Sequence, residues 1–173
     1  MDKSSGPKGW YSRGYLPHLD TPHLLQSVTF RLADSLPKEV IERLSEDRTR
    51  GDVERRRRIE QDLDAGHGAC WLRRPEIARI VEDVLLHFDG ERYRLLAWVV
   101  MPSHVHVLIE TMDGFPLAGV VKSWKSFSAV KANGALGRSG RFWARDYFDR
   151  YIRDDGHFLA VKEYIENNPV EAG

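Results

Sequence analysis

Two apolar runs separated by only two residues constrain this chain more than any other feature. Residues 92–101 read RYRLLAWVVM, Pro102-Ser103 follow, and residues 104–111 read HVHVLIET. The first run ends in seven consecutive uncharged residues with valine and tryptophan among them, the pattern of a largely buried strand. The second alternates, so Val105, Val107 and Ile109 share one face while His104 and His106 share the other. With a short proline-containing turn between them, the two strands belong to an antiparallel sheet. Its apolar side must be covered by another layer.

The rest of the chain supplies that layer. Residues 25–32 (LQSVTFRL) read as a first strand. Pro37 opens a polar stretch, 38–64, expected as one or two exposed helices, and its run Arg55-Arg56-Arg57-Arg58 is expected to be a solvated helix face, with a phosphate patch as the alternative. Gly66-His67-Gly68 breaks the chain. After Pro75, residues Ile77, Ile80, Val81, Val84, Leu85 and Phe88 recur at helical spacing up to Asp89-Gly90. A second helical stripe, Leu117, Val120, Val121 and Trp124, lies within 116–131, and 133–140 carries three glycines and reads as a loop. Residues 147–153 read as a short last strand. Residues 154–168 read as a helix, with Asp154 or Asp155 as cap and Pro169 as stop.

The order strand, helix, strand, strand, helix, strand predicts an α+β, ferredoxin-like (split βαβ) fold. Its antiparallel sheet would carry helices on one face and an additional C-terminal helix, holding Tyr164, across the other. One domain over residues 1–173 is expected, with 1–23 as an irregular arm rich in Gly, Pro, Ser and His and 37–66 as a helical insertion.

Composition narrows the function. A single cysteine excludes an intrachain disulfide and a cysteine-built zinc site. No apolar run approaches the roughly 20 residues of a membrane span, and the N-terminus has no secretory h-region; a cytoplasmic, nucleoid-associated protein is expected. Net charge is zero, with 26 basic and 26 acidic residues. The charge is uneven, however. Residues 114–153 hold eight Lys or Arg against two Asp, interleaved with eight aromatics. Cations that track phosphates beside rings that stack on bases suit single-stranded nucleic acid, although the same rings could be core.

Two groups of residues carry chemistry. His104 and His106 project together from one strand and can hold one metal ion, or can be a pair of exposed strand histidines. Tyr164 and Asn168 are four apart and share a helical face. Asn168 offers an amide oxygen as a third, harder ligand, and Tyr164 a phenol beside the ion. A His, His, amide-oxygen set with open positions suits Mg²⁺ or Mn²⁺ at a phosphate better than structural zinc. The bland alternative makes Tyr164 a rim aromatic and Asn168 a C-terminal cap.

The segment from Met101 to Ile109, MPSHVHVLI, resembles the HUH segment of transposases that use one catalytic tyrosine. Arg141-Phe142-Trp143, the run DRYIR from Asp149 to Arg153, Tyr164-Ile165 and Asn168-Pro169-Val170 resemble the REP-associated tyrosine transposases in particular. So do Gly14-Tyr15-Leu16-Pro17-His18 and Thr29-Phe30-Arg31 near the start. The resemblance covers nearly the whole chain in order. It departs at Ser103, where family members often carry Asn.

The resemblance implies single-stranded DNA folded into an imperfect hairpin as substrate, cut at a nearby position. Tyr164 would be the nucleophile, leaving a 5′-phosphotyrosine link and a 3′-hydroxyl, with His104, His106 and Asn168 around a divalent metal. Candidate DNA contacts are Lys122, Lys125, Arg141, Arg150 and Arg153, Trp143 as a stacking ring, and Arg13 and Tyr15 in the arm. Such enzymes act as monomers or homodimers. Two other functions fit the same residues. A non-catalytic or domesticated nucleic-acid-binding module would be expected to carry aromatics, not histidines, on its central strands. A hydrolytic metallonuclease would attack with water and leave Tyr164 dispensable.

Overall fold

The structure, a computed structural model, describes residues 9–13, 16–20, 23–46 and 51–171, without the side chains of 9–13, 16–20, 52 and 169–171. Strands β1 (Gly9–Arg13) and β2 (Leu16–Asp20) come first, then β3 (Leu25–Arg31). Helices α1 (Lys38–Glu46) and α2 (Asp52–Asp64) follow, then a short 3-10 turn at Trp71–Arg73 and helix α3 (Pro75–His87). The chain continues through β4 (Tyr93–Val100), β5 (His104–Thr111), α4 (Leu117–Leu136), β6 (Phe148–Tyr151) and α5 (Asp155–Glu171).

The central sheet has the order β4-β5-β3-β6, with every neighbour antiparallel. This is the split βαβ arrangement expected from the element order. Strand β5 lies inside, and its alternation sets the two faces. Val105, Val107 and Ile109 join Val28 and Phe30 of β3 in a core closed by Ile77, Val81 and Leu85 of α3 and Val120, Val121 and Trp124 of α4. Phe30, which is fully buried, stacks on Trp124 at 6.0 Å between centroids and meets Trp143 edge-on at 4.8 Å. Buried polar tips here are paired. The Trp124 indole N–H donates to the Tyr93 hydroxyl at 2.9 Å, and the Trp143 indole N–H donates to Ser128 Oγ at 2.8 Å.

The opposite face carries the histidines and has a cover of its own. Helix α5 packs on Ala97, Val99 and Leu108 through Phe158, Val161, Tyr164 and Ile165. Beside it, α1 and α2 form a third cluster in which Val40, Leu44, Ile59 and Leu63 close on Phe148 of β6. The stretch 38–64 was expected to be exposed. Instead it is two helices, each with a narrow buried stripe. In α2 that stripe is Arg55, Ile59 and Leu63, spaced four residues apart on one face, with only two apolar members and hard to see among the charges.

Four boundaries differ from the sequence reading. The segment 1–23 is not an irregular arm throughout: β1 and β2 pair antiparallel from Gly9↔Asp20 to Arg13↔Leu16. Only Gly14-Tyr15 lie between them in sequence, a spacing that permits a tight hairpin. Helix α4 runs on to Leu136, through the first half of the expected loop, and ends at Gly137 with φ +64°. A single glycine inside a helix costs only about 1 kcal/mol, so Gly134 does not stop it. The last strand shortens to Phe148–Tyr151. Helix α5 passes Pro169 to Glu171.

Gly68 positions the link between α2 and α3. Its φ is +84°, and a Cβ there would fall 2.5 Å from the Asp34 carbonyl oxygen, while the adjoining Ala69 N–H donates to Asp34 Oδ2 at 2.9 Å. Gly68→Ala combines left-handed strain with a backbone clash. It is expected to lower unfolding free energy by about 2 kcal/mol or more, read as a reduced urea midpoint at unchanged m-value.

Candidate active site

The site is built on β5 and on its hydrogen-bonded neighbour β3. Register places Thr29 opposite His106 and Arg31 opposite His104. Both imidazoles are buried, at 1% and 2% exposure, under the cover of α2 and α5. A pair of exposed strand histidines is therefore not what the fold contains. Their ring centroids are 4.8 Å apart.

Each ring is held by its Nδ1. Thr29 Oγ1 lies 2.8 Å from His106 Nδ1, and Ser103 Oγ lies 3.1 Å from His104 Nδ1. The Ser103 hydroxyl donates its one proton to the Leu63 carbonyl at 3.2 Å. Toward His104 it can then act only as an acceptor. An N–H at His104 Nδ1 would answer that acceptor and leave Nε2 its lone pair, the tautomer a metal ligand needs.

Both Nε2 atoms and the Asn168 amide nitrogen are buried without a hydrogen-bond partner. Asn168 itself is 2% exposed, one helical turn beyond Tyr164. Turned about its last bond, the same amide presents an oxygen. Among the described residues no three His, Cys, Asp or Glu side chains group to hold a metal ion. An amide oxygen is a ligand of another type. The orphaned Nε2 atoms in a dry setting fit a divalent ion on His104 and His106, with the buried Asn168 as the candidate third ligand.

Burial also sets the protonation. It pushes His104 down to about 4, and burial together with the neighbouring His104 pushes His106 down to about 3. Both are neutral at pH 7, with no proton to displace before coordination. Tyr164 stands beside His106, its ring 5.6 Å from that imidazole at 72°.

Tyr164 and His106 open into a groove of about 310 Å³. Ser27 and Thr29 of β3 and Phe148, Asp149 and Arg150 of β6 form its floor and side. One wall is α5, through His157, Ala160 and Val161; the other is α2, through Val53, Arg56, Arg57 and Glu60. The sequence reading missed the α2 wall. It also missed Asp64, whose Oδ1 lies 3.6 Å from His104 Nε2. Burial first, and Asp64 second, raise the carboxyl pKa of Glu60. His157 lines the groove as well. Its N–H is capped by Asp154 Oδ1 at 2.8 Å, which identifies Asp154 as the α5 cap.

The expected DNA contacts separate. Arg150 lines the groove. Lys122 and Lys125 lie on α4, on the far side of the sheet from the histidines; Lys122 is exposed and Lys125 Nζ donates to the Asp146 carbonyl at 3.0 Å. Arg141 is exposed in the loop before β6, and the exposed Arg153 places its guanidinium 5.9 Å from the Tyr151 ring. Trp143 is core, 4% exposed, and is not a stacking platform. Trp124, Phe142, Tyr147 and Phe148 are buried as well. Tyr15 lies outside the described residues, as does the side chain of Arg13.

The two histidines make the metal-free fold sensitive to acid. Unfolded, they take up protons near the ordinary value of 6.5; folded, only near about 4 and about 3. Their contribution to stability is complete above about pH 6.5 and falls as pH drops toward those lower values. Urea midpoints measured in chelator from pH 7.5 to 4 should decline, and His106→Gln, which cannot titrate, should flatten the decline.

Comparison with known proteins follows the same lines. The family model described as "Transposase IS200 like" matches residues 73–168, which include His104, His106, Tyr164 and Asn168. An uncharacterized protein of Haemophilus influenzae is 30% identical over 122 aligned positions, covering 58% of this chain and 61% of that protein. The chain thus spans under two thirds of that relative's length. Among solved structures, a REP-associated tyrosine transposase bound to a REP hairpin superposes with a TM-score of 0.55 at 17% identity. That match covers 94% of this chain and 73% of the other, a likeness of fold. With its family model spanning more than half its length, the chain belongs to the IS200-like transposases.

Proposed function

We propose that this protein nicks and rejoins single-stranded DNA beside a hairpin, in a metal-dependent reaction with Tyr164 as nucleophile, in DNA transposition or the mobilisation of repeats. The observation that carries the reading is that the Tyr164 ring meets the buried His106 imidazole in one groove, with the His104 ring 4.8 Å from that of His106. His104, His106 and Asn168 would hold Mg²⁺ or Mn²⁺, which when bound polarises a phosphate and offsets charge in the transition state.

The rest falls to the chain itself. Tyr164 Oη forms a bond to phosphorus as the bond to the leaving 3′-oxygen breaks. The phenol, ordinarily titrating at about 10, gives up its proton, and the 3′-oxygen takes one up. The phosphodiester energy is kept in the 5′-phosphotyrosine link, so another 3′-hydroxyl can reverse the step. Thr29 and Ser103 hold the imidazoles in orientation throughout. The hairpin as substrate is carried over from the resemblance and from the DNA bound to the structural neighbour.

A labelled hairpin with single-stranded flanks, incubated with Mn²⁺ and run on a denaturing gel, should give a slow covalent adduct. Tyr164→Phe and chelator should each abolish it. Cleavage that survives Tyr164→Phe would establish hydrolysis by water instead, and binding without cleavage a non-catalytic module. His106→Gln should remove the adduct while leaving DNA affinity in chelator within about twofold, since the imidazoles are not phosphate contacts.

A further inference from the structure

We propose that the basic run of α2 is the phosphate-binding wall of the groove, with Arg57 and Arg56 of α2 and Arg150 of β6 gripping the backbone of the single strand beside the reacting phosphate. This rests on the function proposed above for the same groove. The run looks like one solvated face in the sequence, but helical geometry deals its members to different sides, about 100° apart. Arg55 is 9% exposed. Arg58 faces outward to Glu54, at 3.4 Å. Arg56 and Arg57 line the groove that also holds His106 and Tyr164.

Arg56 also fixes the wall in place. Its NH2 donates to the Asp149 carbonyl at 2.7 Å, tying α2 to β6. Arg57, next to it, is exposed. Arg150 of β6 lines the groove too, and with Arg56 it acts on the Glu60 carboxyl of α2. Against these three guanidinium groups stand two carboxylates, Glu60 and Asp149, and burial draws Glu60 toward its neutral form.

The chain as a whole has no net charge, so this positive lining is local. Guanidinium forks match phosphate oxygens in pairs, and successive phosphates of one strand offer them at regular spacing. The exposed Val53 and the partly buried Val161 give the same groove apolar surface for sugar or base. A single nucleic-acid strand presents both chemistries together.

The test measures binding apart from chemistry. A fluorescent hairpin with single-stranded flanks, and the same hairpin with blunt ends, are titrated in chelator from 50 to 300 mM NaCl, against wild type, Arg57→Ala, Arg57→Lys and Arg58→Ala. Arg57→Ala should weaken the flanked hairpin about tenfold at low salt and lower the log–log salt slope by about 0.7, the single-strand value for one phosphate. Arg57→Lys should restore the slope but only part of the affinity. The blunt hairpin and Arg58→Ala should be unchanged. Equal binding of the flanked hairpin by Arg57→Ala and wild type would overturn the wall, as would an equal loss on the blunt hairpin. Adduct formation with Mn²⁺ is scored separately. No adduct from wild type, with the Arg57 effect intact, sinks tyrosine transfer and keeps the wall; a normal adduct with no Arg57 effect does the reverse.

Discussion

The burial of two imidazoles on a central strand is the constraint around which the rest is arranged. Strand β5 is covered on both faces, so His104 and His106 meet almost no solvent. A buried polar atom without a partner costs on the order of 1–3 kcal/mol, so each ring nitrogen needs an account. The Nδ1 atoms have theirs in Thr29 and Ser103, which also determine how the rings turn. The Nε2 atoms have none. A fold that satisfied them internally would be more stable and could not bind a metal there.

The same arrangement explains why the insertion helices matter. In a bare split βαβ unit, α3 and α4 would cover one face and α5 would lie alone on the other. Helices α1 and α2 fill the remaining space, anchored by Ile59 and Leu63 against Phe148. The end of α2 delivers the Leu63 carbonyl that orients Ser103 and the carboxylate of Asp64 near His104. The middle of α2 delivers one side of the groove. The insertion is therefore part of the site and not an ornament beside it.

Much of this was legible from residue order. The period-2 pattern of 104–111 placed the histidines together, the spacing of Tyr164 and Asn168 placed them on one helical face, and the sequence of elements specified the sheet. What escaped depends on segments far apart in the chain. Thr29 and His106 are 77 residues apart, and Ser103 and Leu63 are 40 apart; no local pattern announces either pair. Trp143 was misplaced for a related reason. An indole beside arginines reads alike whether it stacks on a base or donates to a buried hydroxyl, and only the partner, Ser128, decides. Which arginines of the run turn inward was hidden because its few apolar neighbours conceal that side of the helix.

The cap at Asp154 has one more effect. It fixes where α5 begins, directly after the short strand β6, and so acts as the zero mark of a ruler on which Tyr164 is ten residues along. Each residue added to or taken from that interval would swing the phenol by about 100° around the helix axis. The interval from Asp154 to Tyr164 is thus a fixed measure, free to vary in the side chains that face water but not in the number of residues it contains.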